Sequence, residues 1–112
     1  MGVKEKSNKK CYISLPITGL RLSEVEIRAA HIKRVLAAAG YQAVSPLNNG
    51  VSRTAPIEVH MRVDYATLLG CDCILMADGW ERSPGCRAEI LAAATAGIKI
   101  VFERAEVLNS GK

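Results

Sequence analysis

The chain has 112 residues, 49% of them hydrophobic and 4% aromatic, with a formal net charge of +4; this is apolar material for one domain with a packed core and not for two. The excess charge is local: Lys4, Lys6, Lys9 and Lys10 against Glu5 place +3 of it in the first ten residues, so the body is near neutral, has no basic stripe, and nucleic-acid binding is disfavoured. The N-terminus "MGVKEKSNKK" is charged and no uncharged apolar run reaches the roughly eighteen residues of a membrane span, which argues for a soluble, cytoplasmic protein with no membrane partner.

Residues 1–10 read as a disordered basic leader, 11–104 as the domain and 105–112 as a C-terminal tail. "CYISL" (11–15) is a short β-rich run closed by Pro16 and Gly19. "SEVEIRAAHIKRVLAAAGY" predicts a helix over 23–39, with Ser23 and Glu26 as a capping box and Gly40 at the left-handed stop. "YQAVSP" (41–46) predicts a second strand, followed by the turn-rich "LNNGVSRTAP". "IEVHMRVDYATLLG" predicts a second helix in which Ile57, Met61 and Leu68 form one apolar stripe with Asp64 at its edge. "CDCILMAD" predicts a buried strand around 73–77, "SPGCRAEILAAATAG" a third helix with Ser83 as N-cap and Pro84 in the first position, and "IKIVF" a last strand.

The order β-α-β-α-β-α-β implies a parallel sheet covered on both faces. Right-handed crossovers with a reversal after the second strand give a flavodoxin-like (Rossmann-like) three-layer sandwich, four to five strands in the order 2-1-3-4. The ligand crevice of such a sheet opens between the loops after its first and third strands, here "PITGLRLS" and "DGWERSPG". These supply Thr18 and Gly19 on one side and Asp78, Trp80, Ser83 and Gly85 on the other as candidate ligand contacts. An indole at Trp80 suits stacking on a base as well as packing over the sheet edge.

The cysteines, Cys11, Cys71, Cys73 and Cys86, read as reduced and buried, since two sit in or beside apolar strands and no secretory segment precedes them. "CDC" lacks the spacing of a redox or zinc site and has no neighbouring histidine, so no metal and no cofactor is expected. Neither standard phosphate or dinucleotide loop is present. His60 lacks a nucleophile to serve, and Cys86, although near a helix start where a thiol pKa can fall, lacks a base; both read as structural.

Glu89 is the feature these expectations do not absorb. It sits in the second turn of an Ala-rich helix with almost no other polar face, where an unpaired carboxylate would cost several kcal/mol. A surface position, or a cavity with partners, are the two ways out. If Asp64 borders the same crevice, two carboxylates from different helices face one ligand, the arrangement that breaks glycosidic bonds by nucleophilic attack and leaving-group protonation. Tyr12, on the first strand, either hydrogen-bonds such a nucleophile or is a core aromatic.

"YISLPITGL" and "HMRVDYATLLGCDCILMADGWERSPGCRAEILAAATAGIKIVF" resemble small phage and bacterial proteins of unknown function in the nucleoside 2-deoxyribosyltransferase-like superfamily, over about residues 11–102. The resemblance implies a site of Tyr12, Asp64 and Glu89: Glu89 the nucleophile on the anomeric carbon, Tyr12 orienting it, Asp64 protonating or holding the base. The related nucleotide N-hydrolases carry a serine six residues before the nucleophile, against the 5′-phosphate, where the transferases carry an aspartate; here the residue is Ser83. The expected function is therefore N-glycosidic cleavage or deoxyribosyl transfer on a (deoxy)nucleoside 5′-monophosphate. A nucleotide-binding module without turnover and an N-glycosidase acting on an NAD-like nucleotide are the alternatives. A shallow crevice and an Ala-rich helix suggest a homo-oligomer.

Overall fold

A computed structural model describes residues 9–52 and 54–103; most of the expected leader and the expected tail at 105–112 lie outside the described residues. The elements are β1 (Lys10–Ser14), α1 (Leu22–Ala38), β2 (Gln42–Val44), α2 (Ile57–Leu69), β3 (Cys73–Met76), α3 (Pro84–Ala96) and β4 (Lys99–Phe102), with single 3-10 turns at Pro46–Asn48 and Trp80–Arg82. All neighbouring strands are parallel and their order is β2-β1-β3-β4, the expected 2-1-3-4 with four strands. Among the described residues no helix is long and apolar enough to cross a membrane.

The alternation of side chains along β1 and β3 divides the core into two layers. Cys11 and Ile13 of β1 and Cys73 and Leu75 of β3 face α1, which meets them with Val25, Ala29, Ile32 and Leu36, a single stripe at helical spacing. Tyr12, Ile74 and Met76 face the opposite way, onto Leu68 of α2 and Cys86 and Ala93 of α3. Both central strands are therefore buried on both faces, as a parallel sheet between two helical layers requires. Each fully buried Ile, Leu or Met contributes about 1.5–3 kcal/mol. All four cysteines are buried and none is in a disulfide.

The end of α1 and both ends of α3 follow the expected chemistry, with an exception at the start of α1. At the end of α1, Gly40 takes φ 94° while its N–H donates to Ala37 O at 3.0 Å and that of Tyr41 to Leu36 O at 2.9 Å, satisfying the last carbonyls. In α3 the Ser83 hydroxyl accepts from Cys86 N–H at 3.3 Å, Pro84 opens the helix, and Gly97 at φ 76° closes it. The exception is the capping box at Ser23 and Glu26. A turn closed by Leu20 N–H on Ile17 O, with Gly19 at φ 82°, delivers the chain into helical geometry at Leu22, and Arg21 becomes the N-cap with no side-chain cap bond. Ser23 already lies within the first turn, where its hydroxyl no longer reaches the amides it was expected to cap.

The stripe on α2 also differs from expectation. Leu68 is fully buried, but Ile57 and Met61 stand 68% and 39% exposed at the mouth of a cavity. At the far edge, Arg28 of α1 pairs with Glu103 at 2.8 Å, and the same carboxylate oxygen accepts from Asp78 N–H at 2.7 Å, pinning the loop after β3 to the end of β4.

Two glycines at helix ends separate backbone strain from space. A Cβ at Gly97 meets no atom within 4 Å, yet φ is 76°; at Gly70 φ is −90° and the nearest atom lies at an ordinary 3.5 Å. Gly97→Ala is expected to lower unfolding stability by about 1–2 kcal/mol, and Gly70→Ala to leave it unchanged or raise it by up to about 1 kcal/mol, measured by urea denaturation.

Candidate functional site

The cavity, of about 590 Å³, opens at the carboxyl ends of the strands. The loop after β1, the first turns of α1, the segment after β2, one face of α2 and the first turns of α3 all contribute to its wall. The reversal of strand order between β1 and β3 forces their following loops apart, which is why a hollow forms at this end. Ser45, Pro46, Leu47, Asn49 and Val51, after β2, form part of the wall in addition to the two loops expected.

Glu89 projects into this cavity from the second turn of α3 and is only 9% exposed. Its two oxygens are each hydrogen-bonded: Tyr12 Oη donates to Oε2 at 2.8 Å and Ser14 Oγ to Oε1 at 2.7 Å. Tyr12 and Ser14 are two residues apart on β1 and so emerge on the same face, that of α3. Burial pushes the Glu89 carboxyl above its ordinary value, the two hydroxyls pull it back, and the charge of Asp64 adds to the rise. Burial, followed by the proximity of Glu89, holds the Tyr12 phenol far above its ordinary range, so it remains a donor.

Asp64 lines the same cavity from α2. Asn49 Nδ2 donates to its Oδ1 at 3.0 Å and also lies 3.3 Å from His60 Nδ1. Burial raises the Asp64 carboxyl, opposed by the Asn49 bond and by His60. Ser83, Gly85 and Thr18 line the cavity as well. Pro84 has no N–H and that of Cys86 is taken by Ser83, so Gly85 carries the remaining first-turn amide at the cavity wall.

Three expected contacts are placed otherwise. Trp80 packs against the α3-side core and over Phe102 of β4, ring centroids 5.9 Å apart, which is the sheet-edge alternative. Asp78 is exposed, with its N–H donating to Glu103 and its carbonyl accepting from Arg28 at 3.3 Å. Gly19 is exposed in the turn before α1 and is not among the lining residues. Cys86 lines the cavity, but burial pushes its thiol up rather than down, overriding the helix-start effect.

Sequence reasoning missed Ser14, Asn49 and the position of His60. Strand alternation from Tyr12 could have found Ser14, and the four-residue spacing to Asp64 could have found His60, since both then share one helix face. Asn49 left no signal beyond a turn-forming residue in a loop. Among the described residues no group of three or more His, Cys, Asp or Glu side chains is placed to hold a metal ion.

A 2-deoxyribosyltransferase from the psychrotolerant bacterium Bacillus psychrosaccharolyticus shares the fold with a TM-score of 0.64 at 18% identity, over 83% of this chain and 70% of the other. The CMP N-glycosidase BcmB of Clostridium botulinum shares it with a TM-score of 0.59 at 20% identity, over 84% and 70%. Among curated proteins none matches the chain. The sequence itself fits the family model described as Domain of unknown function (DUF4406) across residues 9–102, and the chain belongs to that family.

Proposed function

We propose that the protein cleaves, or transfers the sugar across, the N-glycosidic bond of a nucleoside 5′-monophosphate, with Glu89 as nucleophile. One observation carries this reading: a buried carboxylate, bracketed by the Tyr12 and Ser14 hydroxyls, lines the same cavity as a second carboxyl group, Asp64. A carboxylate this deep in an apolar layer is costly, and the fold spends two hydroxyls on holding it in place. The same fold serves a 2-deoxyribosyltransferase and a CMP N-glycosidase, whose substrates carry the bond in question.

In the proposed reaction a Glu89 oxygen attacks the anomeric carbon as the C–N bond breaks, giving a glycosyl ester. The electron pair of the broken bond goes to the base nitrogen, and the Asp64 carboxyl delivers its proton to the base. Water, or a second base, then attacks the same carbon. The Glu89 carboxylate leaves, Asp64 recovers a proton from the nucleophile, and the anomeric configuration is retained. Tyr12 and Ser14 hold the carboxylate toward the sugar. Ser83, the Gly85 amide and Thr18 form the phosphate side, where a hydroxyl and the positive end of α3 favour an anion.

A nucleotide-binding module without turnover is the second reading, favoured by the engagement of both Glu89 oxygens before any ligand arrives.

Incubation with nucleoside and deoxynucleoside monophosphates is expected to release free base, followed by chromatography, and Glu89→Gln to reduce the rate by about 10³-fold or more. Tight nucleotide binding with no base released establishes the binding module instead. Ser83→Asp keeps a cap for α3 but sets a negative charge against the phosphate. It is expected to raise KM for monophosphates about tenfold or more while sparing nucleosides, a loss of the order of one charge-assisted hydrogen bond.

Stability carries the opposite sign. Because burial raises the Glu89 carboxyl, the folded protein holds that proton more tightly than the unfolded chain. The resulting stabilisation is full at low pH and is lost as pH rises through the raised value. Glu89→Gln is therefore expected to raise Tm most at neutral pH and least below the ordinary carboxylate range; a gain of about 1 kcal/mol appears as about 4–8 °C. Differential scanning fluorimetry across pH reads it, and a Tm lowered at neutral pH would contradict it.

A further inference from the structure

We infer that Asn49 is the positioning residue of the leaving-group side of the cavity, holding Asp64 by one oxygen and His60 in its Nε2–H tautomer. The functional half of this inference rests on the reaction proposed above; the structural half rests on hydrogen bonds alone.

The orientation of the Asn49 amide is fixed by its neighbour. Val51 N–H donates to Asn49 Oδ1 at 2.9 Å, so the oxygen faces the backbone and the nitrogen must face α2. That nitrogen carries two hydrogens. One reaches Asp64 Oδ1 at 3.0 Å and the other His60 Nδ1, 3.3 Å away. An imidazole nitrogen that accepts a hydrogen bond carries no proton, so the ring proton of His60 resides on Nε2. Asp64 and His60 are four residues apart on α2 and line the cavity together with Asn49.

The consequence is an ordered proton inventory. With Oδ1 of Asp64 taken by Asn49, Oδ2 is the oxygen left to carry an acidic proton, and with Nδ1 of His60 taken by the same amide, its ring proton is on Nε2. A departing base with ring-nitrogen or carbonyl acceptors meets two donors whose placement Asn49 sets. Asn49 touches neither the sugar nor the breaking bond in this scheme; it acts through its two neighbours. The segment that carries it is itself anchored, with Ser45 Oγ accepting from Leu47 N–H at 3.2 Å at the start of the 3-10 turn.

A long-range ¹H–¹⁵N correlation spectrum of the full chain, with His31→Gln used to assign the remaining ring, reads the tautomer directly. The expected result is a His60 ring protonated at Nε2 and bare at Nδ1. Asn49→Asp keeps an acceptor for Val51 but replaces both donors. It is expected to move the His60 proton to Nδ1 and to lower kcat for base release by about 10–100-fold, the scale of a misplaced catalytic group, with KM changed less than about threefold. An Nδ1–H tautomer in the unaltered protein overturns the inference, as does Asn49→Asp leaving both tautomer and kcat in place. If no nucleotide yields free base, the proposed reaction falls, and the tautomer spectra, which need no turnover and no variant at position 49, still decide the orientation of Asn49.

Discussion

The carboxylate of Glu89 is placed between the end of β1 and the start of α3, in a layer otherwise built from Leu68, Ile74, Met76 and Ala93, and the architecture around it is the set of conditions that makes this tolerable. A buried, unpaired carboxylate costs several kcal/mol, a sizeable part of the stability of a domain this small. Two hydroxyls offset it, and both come from one strand because residues two apart share a face. The register of β1 against β3 fixes how far those hydroxyls stand along the sheet. The Ser83-Pro84 start fixes where α3 begins, and each residue of helix turns its side chain by about 100°. A start displaced by one residue would swing Glu89 away from Tyr12 and Ser14. Cap, register and alternation therefore serve a single contact.

The two carboxyl groups of the cavity are treated differently. Both are raised by burial, and the charge of Asp64 adds to the rise at Glu89. Glu89 receives two hydroxyl donors, which stabilise its charged form, whereas Asp64 receives one amide hydrogen and, among the described residues, keeps an oxygen without a donor. Under the proposed reaction the doubly bonded Glu89 is the attacking group and Asp64 the leaving-group acid, two roles set in two different environments. Tyr65, on the same helix as Asp64, feels both carboxyls after burial and is likewise held above its ordinary value, so the wall offers neutral donors rather than further negative charge.

The sequence made the order of elements legible because each strand is a short apolar run and each long helix closes on a residue that fits its stop: Gly40 and Gly97 at positive φ, Gly70 at the end of α2. The cap at Ser83 was equally plain. The start of α1 was not, because the tight turn at Ile17 to Leu20 acts before the Ser23 pattern can. Periodicity on α2 reported that Ile57, Met61 and Leu68 share a face, but not that only one end of that face is covered. At the site, Tyr12, Asp64 and Glu89 could be singled out as polar residues in apolar settings. Trp80 went to Phe102, 22 residues later in the chain, and Asn49 to Asp64 by a contact 15 residues apart; neither partner leaves a trace in local sequence.

Of the exposed large apolar side chains, Leu20, Ile27, Leu69, Leu91 and Phe102 are scattered over the surface, whereas Ile17, Ile57 and Met61 gather at the cavity. Ile17, Ile57 and Met61 leave apolar surface in water although the core beside them is close-packed, and Glu89 brings a charge into that core. Scattered over a surface, such departures need no explanation. Here the exposed side chains and the buried carboxylate line the same cavity, together with Asp64 and the start of α3. Apolar walls with a few convergent polar groups are what a small-molecule site presents. Local violations of stable packing are expected where a fold has a ligand to accommodate. Under the proposed reaction the carboxylate and the open apolar wall explain each other: a heteroaromatic base would cover Ile57 and Met61, and the sugar it carries would bring its anomeric carbon to Glu89.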